Sequence, residues 1–515
     1  MRRVSLRAFA SAAALALSIA VVAQEQQAQP DAATEAQFAG VRRLKEVIAV
    51  LNTGEYATIR RYFETNSVRI FPVPPSAKKF SWEVGAFSQV LNRYRQSGGV
   101  DLVRTTIDPK GDIVGIVRNR LTGDEEYLAV RVEPQAPHRI TWLPAIEPKV
   151  VATWKLKRVA STAMTEEARV QEIGAYLKRL GDADVFSGAV AIARDGKPVF
   201  AQAFGYADRE KQIRNTLDTP FLLASMTKPF TGLAIGQLVE QGKLSYDDSL
   251  SKFLPGFPDA ESATKIKIKH LLSHTSGLGN PAGTRLGESV SSNALDRQTT
   301  VKAIADSFER KRPEFEPGTK WSYSNTGFVL LGRIIEIVTG EDYYEYMAKN
   351  VFAPAGATSA SFPLLPKNGV AVVPMAYPYE VAWDEDNSRP YIENKLGKDF
   401  RRGSPAGNTI VSALDLIKLS NAMNAGLIVK PETLRLHTSP KPELNTDYGY
   451  GFFTRKYGNR PLVGHGGNAL GMCTEFGELK DTPYTIVVLS NLTIDTCMSV
   501  TDRILRVLGP APQRR

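Results

Sequence analysis

A serine and a lysine three residues apart give this chain its clearest chemical signal. Ser225 and Lys228 follow the apolar residues 221–224 and precede apolar positions at helical spacing, namely Ala234, Ile235, Leu238 and Val239. Because residues three apart share a helix face, both side chains should meet at the first helical turn. Serine is a weak nucleophile until a base takes its proton, and a desolvated lysine is such a base. The Ser225 N–H, unpaired at a helix start, would be free to stabilise an oxyanion.

The Ser-x-x-Lys spacing is not specific by itself, since Ser76–Lys79, Ser249–Lys252 and Ser262–Lys265 share it. Ser225 differs in its context. An apolar, strand-like segment leads into it, an apolar helix follows, and two polar motifs come later in the chain. These motifs are Tyr323-Ser324-Asn325 and His465-Gly466-Gly467.

From about Thr165 to Leu508 the chain resembles the serine β-lactamase/D-alanyl-D-alanine carboxypeptidase superfamily, in its class C and esterase-like branch. Besides the segment around Ser225, the stretches that carry the resemblance are HLLSHTSGL at 270–278, PGTKWSYSNTG at 317–327 and GHGG at 464–467. The order of these motifs also fits that branch. The resemblance implies an α+β fold of the β-lactamase/penicillin-binding-protein type: an antiparallel sheet flanked by helices, with a helical subdomain.

The resemblance also implies catalytic roles. Ser225 would attack a carbonyl and become acylated, and Lys228 would accept its proton. The Tyr323 hydroxyl would relay protons to the leaving group and later to water, and Asn325 would hydrogen-bond the acyl side of the substrate.

The third motif would complete the site. His465 is its catalytic position, and Gly466 and Gly467 line the substrate. By the family pattern, the backbone N–H of Asn468 would share the oxyanion hole with that of Ser225. The chemistry implied needs no metal and no cofactor.

Three departures from the family pattern limit what the resemblance implies. His465 stands where class C β-lactamases have lysine, and Gly466 stands where a Thr or Ser hydroxyl often helps to hold a substrate carboxylate. Burial beside Lys228 would disfavour a protonated His465, so we expect the pocket to lack a permanent cation and to favour neutral esters. Pro229 has no N–H for the Ser225 carbonyl, and we expect a slightly opened first turn.

Two other motifs have plainer interpretations. His270 and His274 stand four apart, a spacing that suits zinc, but the metalloprotease pattern needs Glu where Leu271 stands. We expect both histidines to be structural. Tyr457-Gly458-Asn459 also matches Tyr-x-Asn, and we interpret it as a turn.

The elements around these motifs indicate two domains. Residues 34–150 predict a small α+β domain with no catalytic motif: helices between Phe38 and Phe63, then strands at 100–107, 113–121 and 127–132. This order loosely resembles nuclear-transport-factor-like cones. The hydrolase domain should span residues 165–510, opening on a helix capped by Thr165. In it, residues 186–193 and 198–206 predict a hairpin around Asp195-Gly196.

The N-terminus predicts export. Residues 1–23 combine a basic start, a short apolar stretch and small residues at a cleavage position, which is typical of a secretory signal. A membrane anchor is the alternative, although the stretch is short for a span. We expect a secreted or periplasmic protein without a stable membrane span in the mature chain.

Composition excludes other classes. The 515 residues are 43% hydrophobic and 23% charged, as in ordinary globular proteins. Arg2, Arg3 and Arg7 supply three of the formal net charge of +10, and we find no basic block with interleaved aromatics, so nucleic-acid binding is not expected. The two cysteines, Cys473 and Cys497, are either paired or free.

The expected function is therefore an exported serine hydrolase that forms an acyl-enzyme through Ser225. Its substrates should be small-molecule esters, amides or peptides, with esters, D-amino-acid peptides or D-amino-acid amides preferred. One alternative is a β-lactamase or D-alanyl-D-alanine carboxypeptidase. The other is a noncatalytic penicillin-binding or sensing protein, which would have no use for Ser225, Lys228 and Tyr323 all three together. The oligomeric state stays open.

Overall fold

The chain forms two compact units, residues 1–158 and residues 159–515. The structure, a computed structural model, describes residues 32–68, 98–107, 112–142, 164–279, 300–302, 305, 312–365, 373–383, 390–396, 402–457, 460–469, 471–480, 482–492 and 496–509. The expected signal at residues 1–23 lies outside these ranges.

The N-terminal unit packs two helices with an antiparallel meander. The helices are α1 (Ala32–Leu51) and α2 (Tyr56–Asn66), and the strands are β1 (Val100–Ile107), β2 (Ile113–Asn119), β3 (Glu125–Val132) and β4 (Ile140–Trp142). The strands lie in the order β1-β2-β3-β4, and α1 contacts the first three. Leu44 and Val47 of α1 are fully buried.

The predicted helices and three strands of this unit are confirmed, with two refinements. The helical stretch is broken before α2, where Gly54 has a φ of +66° that glycine adopts readily. Strand β4 was not predicted, because three residues are too few to produce a recognisable alternation.

A six-stranded antiparallel sheet forms the framework of the C-terminal unit. The strands are β5 (Gly188–Arg194), β6 (Lys197–Phe204), β13 (Phe453–Tyr457), β14 (Arg460–Ala469), β15 (Met472–Leu479) and β16 (Tyr484–Ser490). They lie in the order β13-β14-β15-β16-β5-β6. Helix α3 (Glu166–Asp182) packs on β6 and on the C-terminal helix α12 (Thr496–Leu508). Helix α10 (Ala413–Asn424) packs on β5 and β16.

The remaining elements build the helical part and small strand pairs. The helices are α4 (Lys228–Glu240), α5 (Leu250–Phe253), α6 (Ala260–Lys265), α7 (Ile268–Leu272), α8 (Asn325–Thr339), α9 (Tyr343–Met347) and α11 (Pro431–Thr438). The short strands are β7 (Tyr206–Asp208), β8 (Ile213–Arg214), β9 (Phe221–Leu222), β10 (Tyr379–Trp383), β11 (Pro390–Asn394) and β12 (Ile410–Val411). Helix α4 is buried almost all round, packed against α8, α9 and α11. A helix so enclosed can desolvate a charged side chain.

Two local predictions are confirmed. The Thr165 side chain caps α3 by accepting a hydrogen bond from the Ala168 N–H. Strands β5 and β6 form the predicted hairpin, with positive φ at Asp195 and Gly196 as a primed turn requires.

The sequence leaves open whether the two cysteines pair, and the structure answers this: Cys473 of β15 and Cys497 of α12 form a disulfide. Within the described residues, no helix combines the length and apolar character needed to cross a bilayer.

Candidate active site

Ser225 lies in a tight turn that leads directly into α4. Residues Ala224–Thr227 form one 3₁₀ turn, and the Lys228 N–H donates to the Ser225 carbonyl. The expected opening of the first turn is therefore wrong. Pro229 has no N–H to donate to the Ser225 carbonyl. That carbonyl accepts the N–H of Lys228, one residue earlier, instead, and this makes the turn tighter.

The turn is held from both sides in a strained conformation. Ala224 has a φ of +46°, which is costly for a residue with a Cβ and persists only under surrounding constraints. The Asn408 N–H donates to the Ala224 carbonyl at 3.0 Å, and Thr474 Oγ1 donates to the Leu223 carbonyl at 2.9 Å. Strand β14 lies so close that a Cβ on Gly467 would come within 3.0 Å of the Ala224 Cβ. Gly467 is thus needed for this approach.

Lys228 is fully buried beside the serine. Its Nζ lies 3.1 Å from Ser225 Oγ, 2.8 Å from Asn325 Oδ1 and 2.6 Å from the Ala406 carbonyl oxygen. No carboxylate of the described residues pairs with it, and burial holds the pKa of Lys228 well below its ordinary value.

A neutral amine, the form that burial favours, can make all three contacts. A neutral lysine has two N–H donors and one lone pair. Asn325 Oδ1 and the Ala406 carbonyl accept the two N–H groups, since neither has a proton to give. The lone pair is left for the Ser225 hydroxyl, which is the arrangement of a base poised to deprotonate a serine.

Tyr323 completes this cluster from the segment before α8. The Ser324 side chain caps α8 by accepting from the Gly327 N–H at 3.1 Å, which fixes the chain next to Tyr323. The Tyr323 hydroxyl is hydrogen-bonded to the Ser225 side chain. Burial raises the pKa of Tyr323, although the bond to Ser225 lowers it in part, so the phenol keeps its proton at neutral pH. The Lys228 Nζ lies 4.8 Å from its ring centroid.

His465 of β14 is buried and points to Tyr448, which no sequence motif marks. Its Nε2 lies 2.9 Å from the Tyr448 hydroxyl, and its Nδ1 contacts the Gly466 carbonyl. Both ring nitrogens are therefore used away from Ser225 and Lys228. Burial first, then the nearby Lys228, lowers the pKa of His465 to about 3, so the ring is neutral, as expected.

The expected absence of a permanent cation is wrong, because Arg455 of β13 lies against Gly466. A Cβ on Gly466 would come within 2.7 Å of the Arg455 guanidinium. Arg455 forms an ion pair with the buried Glu475, and burial raises the pKa of Glu475 to about 7 despite that partner. The missing hydroxyl thus makes room for a guanidinium, and the net charge of the pair depends on whether Glu475 is ionised. No sequence motif marks Arg455, because it reaches the site only through strand pairing.

Asn468 follows on the same strand, and its side chain is exposed. Strand β13 pairs with β14 only as far as Gly464, so β13 does not cover the β14 edge from His465 to Asn468. This edge runs past the Ser225 turn, against which β14 packs.

The competing serine–lysine pairs look different. Lys252 forms an ion pair with Asp248, and Lys265 forms one with Glu261, with both lysine side chains about half exposed. Charged, solvated lysines are poor bases at neutral pH. Ser76 and Lys79 lie outside the described residues.

His270 and His274 do not share a ligand position. The Nδ1 of His270 accepts from the Lys267 N–H, and the Nδ1 of His274 accepts from the Ser324 N–H. In the described part of the chain, no group of three His, Cys, Asp or Glu residues is arranged to hold a metal ion.

Fold and site together define a serine β-lactamase and penicillin-binding-protein architecture. Residues 167–507 match the Beta-lactamase family, and the chain belongs to it, which confirms the expected fold class. Penicillin-binding protein 4* of Bacillus subtilis is 30% identical over 329 residues, covering 62% of this chain and 70% of that protein. The teichoic acid D-alanine hydrolase of Staphylococcus aureus is 28% identical over 355 residues, covering 66% and 78%. The penicillin binding protein from Bacillus halodurans has a TM-score of 0.54 at 26% identity, covering 64% and 99%.

Proposed function

We propose that this protein is a serine hydrolase that forms an acyl-enzyme through Ser225. The observation that carries the proposal is the position of Lys228, whose buried Nζ lies 3.1 Å from Ser225 Oγ with only neutral partners. A sensing protein needs acylation only, whereas turnover also needs a base and a proton relay for attack by water, so the presence of both Lys228 and Tyr323 favours turnover.

Acylation follows from these contacts. Ser225 Oγ attacks the substrate carbonyl as its proton passes to the Lys228 Nζ. The carbonyl oxygen becomes an oxyanion held by the backbone N–H groups of Ser225 and Asn468. As the tetrahedral intermediate collapses, the Tyr323 hydroxyl gives its proton to the leaving group and regains one from Lys228. The acyl group is then bonded to Ser225 Oγ, and Lys228 is neutral again.

Deacylation reverses the proton path. Water attacks the ester carbonyl, and its proton passes to Lys228 through Tyr323. Ser225 Oγ leaves and takes that proton, which releases the carboxylic acid. The Nδ2 of Asn325 is the donor that this residue offers to the acyl side, since its Oδ1 is engaged with Lys228. His465 shapes the pocket through its bond to Tyr448 and its lack of charge.

Esters and D-amino-acid derivatives are the substrate class we favour. The neutral His465 replaces a cation that would attract a carboxylate, and one relative is named a teichoic acid D-alanine hydrolase. A second candidate, β-lactamase or D-alanyl-D-alanine carboxypeptidase activity, is favoured by Arg455, because a guanidinium binds carboxylates in a bidentate manner. Glu475 competes for that guanidinium, so we place this activity second.

We also propose that the protein is exported by residues 1–23 and that the N-terminal unit is noncatalytic. The candidate catalytic residues described above all lie between residues 225 and 468, which supports the second statement.

Substitution of the nucleophile tests the proposed function. Ser225→Ala should abolish hydrolysis of p-nitrophenyl esters above the buffer rate, because the acyl-enzyme cannot form. Ser249→Ala and Ser262→Ala are matched controls from the two competing pairs, and both should stay near wild type. Activity that survives in folded Ser225→Ala would refute the proposal.

A further inference from the structure

His274 makes two hydrogen bonds that straddle Tyr323. The Ser322 N–H donates to the His274 carbonyl at 2.9 Å, and the Ser324 N–H donates to the His274 Nδ1 at 3.1 Å. One residue therefore holds the backbone on both sides of the tyrosine. The imidazole also packs on the phenol, with 4.3 Å between the ring centroids and 36° between the planes.

The ring of His274 is itself fixed. It is fully buried, with the Tyr448 ring 4.5 Å away and the Phe328 ring 5.2 Å away, centroid to centroid. Because Nδ1 accepts the Ser324 N–H, the ring proton lies on Nε2. Burial, together with the nearby Lys228 and His465, holds the pKa of His274 well below its ordinary value, so the ring adds no charge beside the lysine.

Two features of His274 cost stability, and the packing of its ring does not explain why a histidine stands at this position. Its Nε2 is buried and has no hydrogen-bond partner among the described residues, and its φ is +59°, in the left-handed region. A phenylalanine would fill the same space without the unpaired N–H. What phenylalanine lacks is an acceptor for the Ser324 N–H, which points to that bond as the reason for histidine.

We propose that His274 is a positioning residue for Tyr323. It does not touch the reacting atoms; it fixes the backbone and the ring plane so that the phenol reaches Ser225. This inference rests on the proposed role of Tyr323 as the proton relay. Displacement of a catalytic group by about 1 Å costs about 100-fold in rate, which sets the scale of the expected effect.

A double-mutant cycle separates positioning from general stability. In the wild-type background, His274→Phe should lower kcat for a p-nitrophenyl ester by about 100-fold, with KM little changed. His274→Asn should retain much more activity, since its Oδ1 can accept the Ser324 N–H and asparagine tolerates positive φ. In a Tyr323→Phe background, which has no hydroxyl to misplace, His274→Phe should change kcat by less than about twofold.

His437 provides the matched control, being equally buried but bonded to Tyr246 and Tyr450 instead. His437→Phe should change kcat by the same factor in both backgrounds. If His274→Phe lowers kcat by the same factor in the wild-type and Tyr323→Phe backgrounds, or leaves the wild-type kcat unchanged, the positioning role is wrong. If His274→Phe does not fold, His274→Asn is run through the cycle, and its smaller loss should likewise vanish beside Tyr323→Phe. Full activity of Tyr323→Phe would instead overturn the proposed relay itself.

Discussion

The Nζ of Lys228 lies 2.8 Å from Oδ1 of Asn325, so a buried lysine faces an amide where a carboxylate would have formed a salt bridge. An amide oxygen accepts the N–H of a neutral amine without favouring the ammonium form strongly. Burial alone then sets the low pKa of the lysine. Among the described residues no anion lies beside Lys228 to offset this effect, so the base stays neutral.

Asn325→Asp should reverse this effect. A carboxylate at that distance stabilises the ammonium and raises the pKa of Lys228, by about 1–3 units. Activity needs neutral Lys228, so the acidic limb of the kcat/KM–pH profile should move to higher pH by that amount. Asn325→Ala, which removes the acceptor without adding charge, should not move the limb upward. An unmoved limb in Asn325→Asp would show that Lys228 is not the base.

His465→Lys should move the same limb in the opposite direction. A second ammonium near Lys228 disfavours its protonation, so the acidic limb of the wild type should lie at higher pH than that of the variant. One neutral ester serves for both profiles. Coincident limbs would refute the electrostatic link between positions 465 and 228.

The Arg455–Glu475 pair should make the preference for anionic substrates depend on pH. Glu475 has a raised pKa of about 7, so above that pH its carboxylate neutralises Arg455, and below it the guanidinium is freed. The ratio of kcat/KM for benzylpenicillin to that for a neutral ester should therefore rise as pH falls through 7. The ratio cancels the titration of Lys228, which both substrates share.

Glu475→Gln checks this assignment. It should raise the ratio at pH 8 by at least about tenfold, since a hydrogen bond to a charged group contributes about 1.5–3 kcal/mol. The dependence on pH near 7 should vanish. Arg455→Ala should lower the ratio at every pH. A wild-type ratio above one at pH 8 would overturn the preference for neutral esters.

The hydrolase unit should work without the N-terminal unit. A fragment from Met164 to Arg515 should fold cooperatively and hydrolyse small esters with a kcat near that of the full chain, because separate cores allow separate folding. Circular dichroism and ester kinetics measure both properties. A folded but inactive fragment would mean that residues before Met164 help to build the site.

Local patterns were sufficient to predict the parts of this site that depend on neighbours in sequence. Ser225 and Lys228 are three residues apart, so helix geometry alone brings them together. The β5–β6 hairpin was equally predictable, because Asp195-Gly196 fixes its turn. The tight turn at Ser225 was not, since its geometry depends on how Pro229 redirects one carbonyl.

Residues that reach the site through tertiary packing left no such signal. Arg455 arrives by pairing of β13 with β14, and Tyr448 by its bond to His465. His274 was predicted to be structural from its sequence motif, and only the contacts on both sides of Tyr323 suggest more. Strand register and loop packing, which no local spacing encodes, decide these neighbours.

If hydrolysis proceeds through Ser225, the acyl group of the substrate becomes bonded to its Oγ, and mass spectrometry can detect that bond directly. The protein is mixed with p-nitrophenyl acetate, or with benzylpenicillin, quenched in acid within one turnover and digested. We expect an acyl adduct on the peptide that contains Ser225, which decays at the rate of turnover and is absent in Ser225→Ala. If the adduct persists and neither substrate is turned over, the protein is a sensing protein. An adduct on another residue, or no adduct during active hydrolysis, would contradict the proposed function.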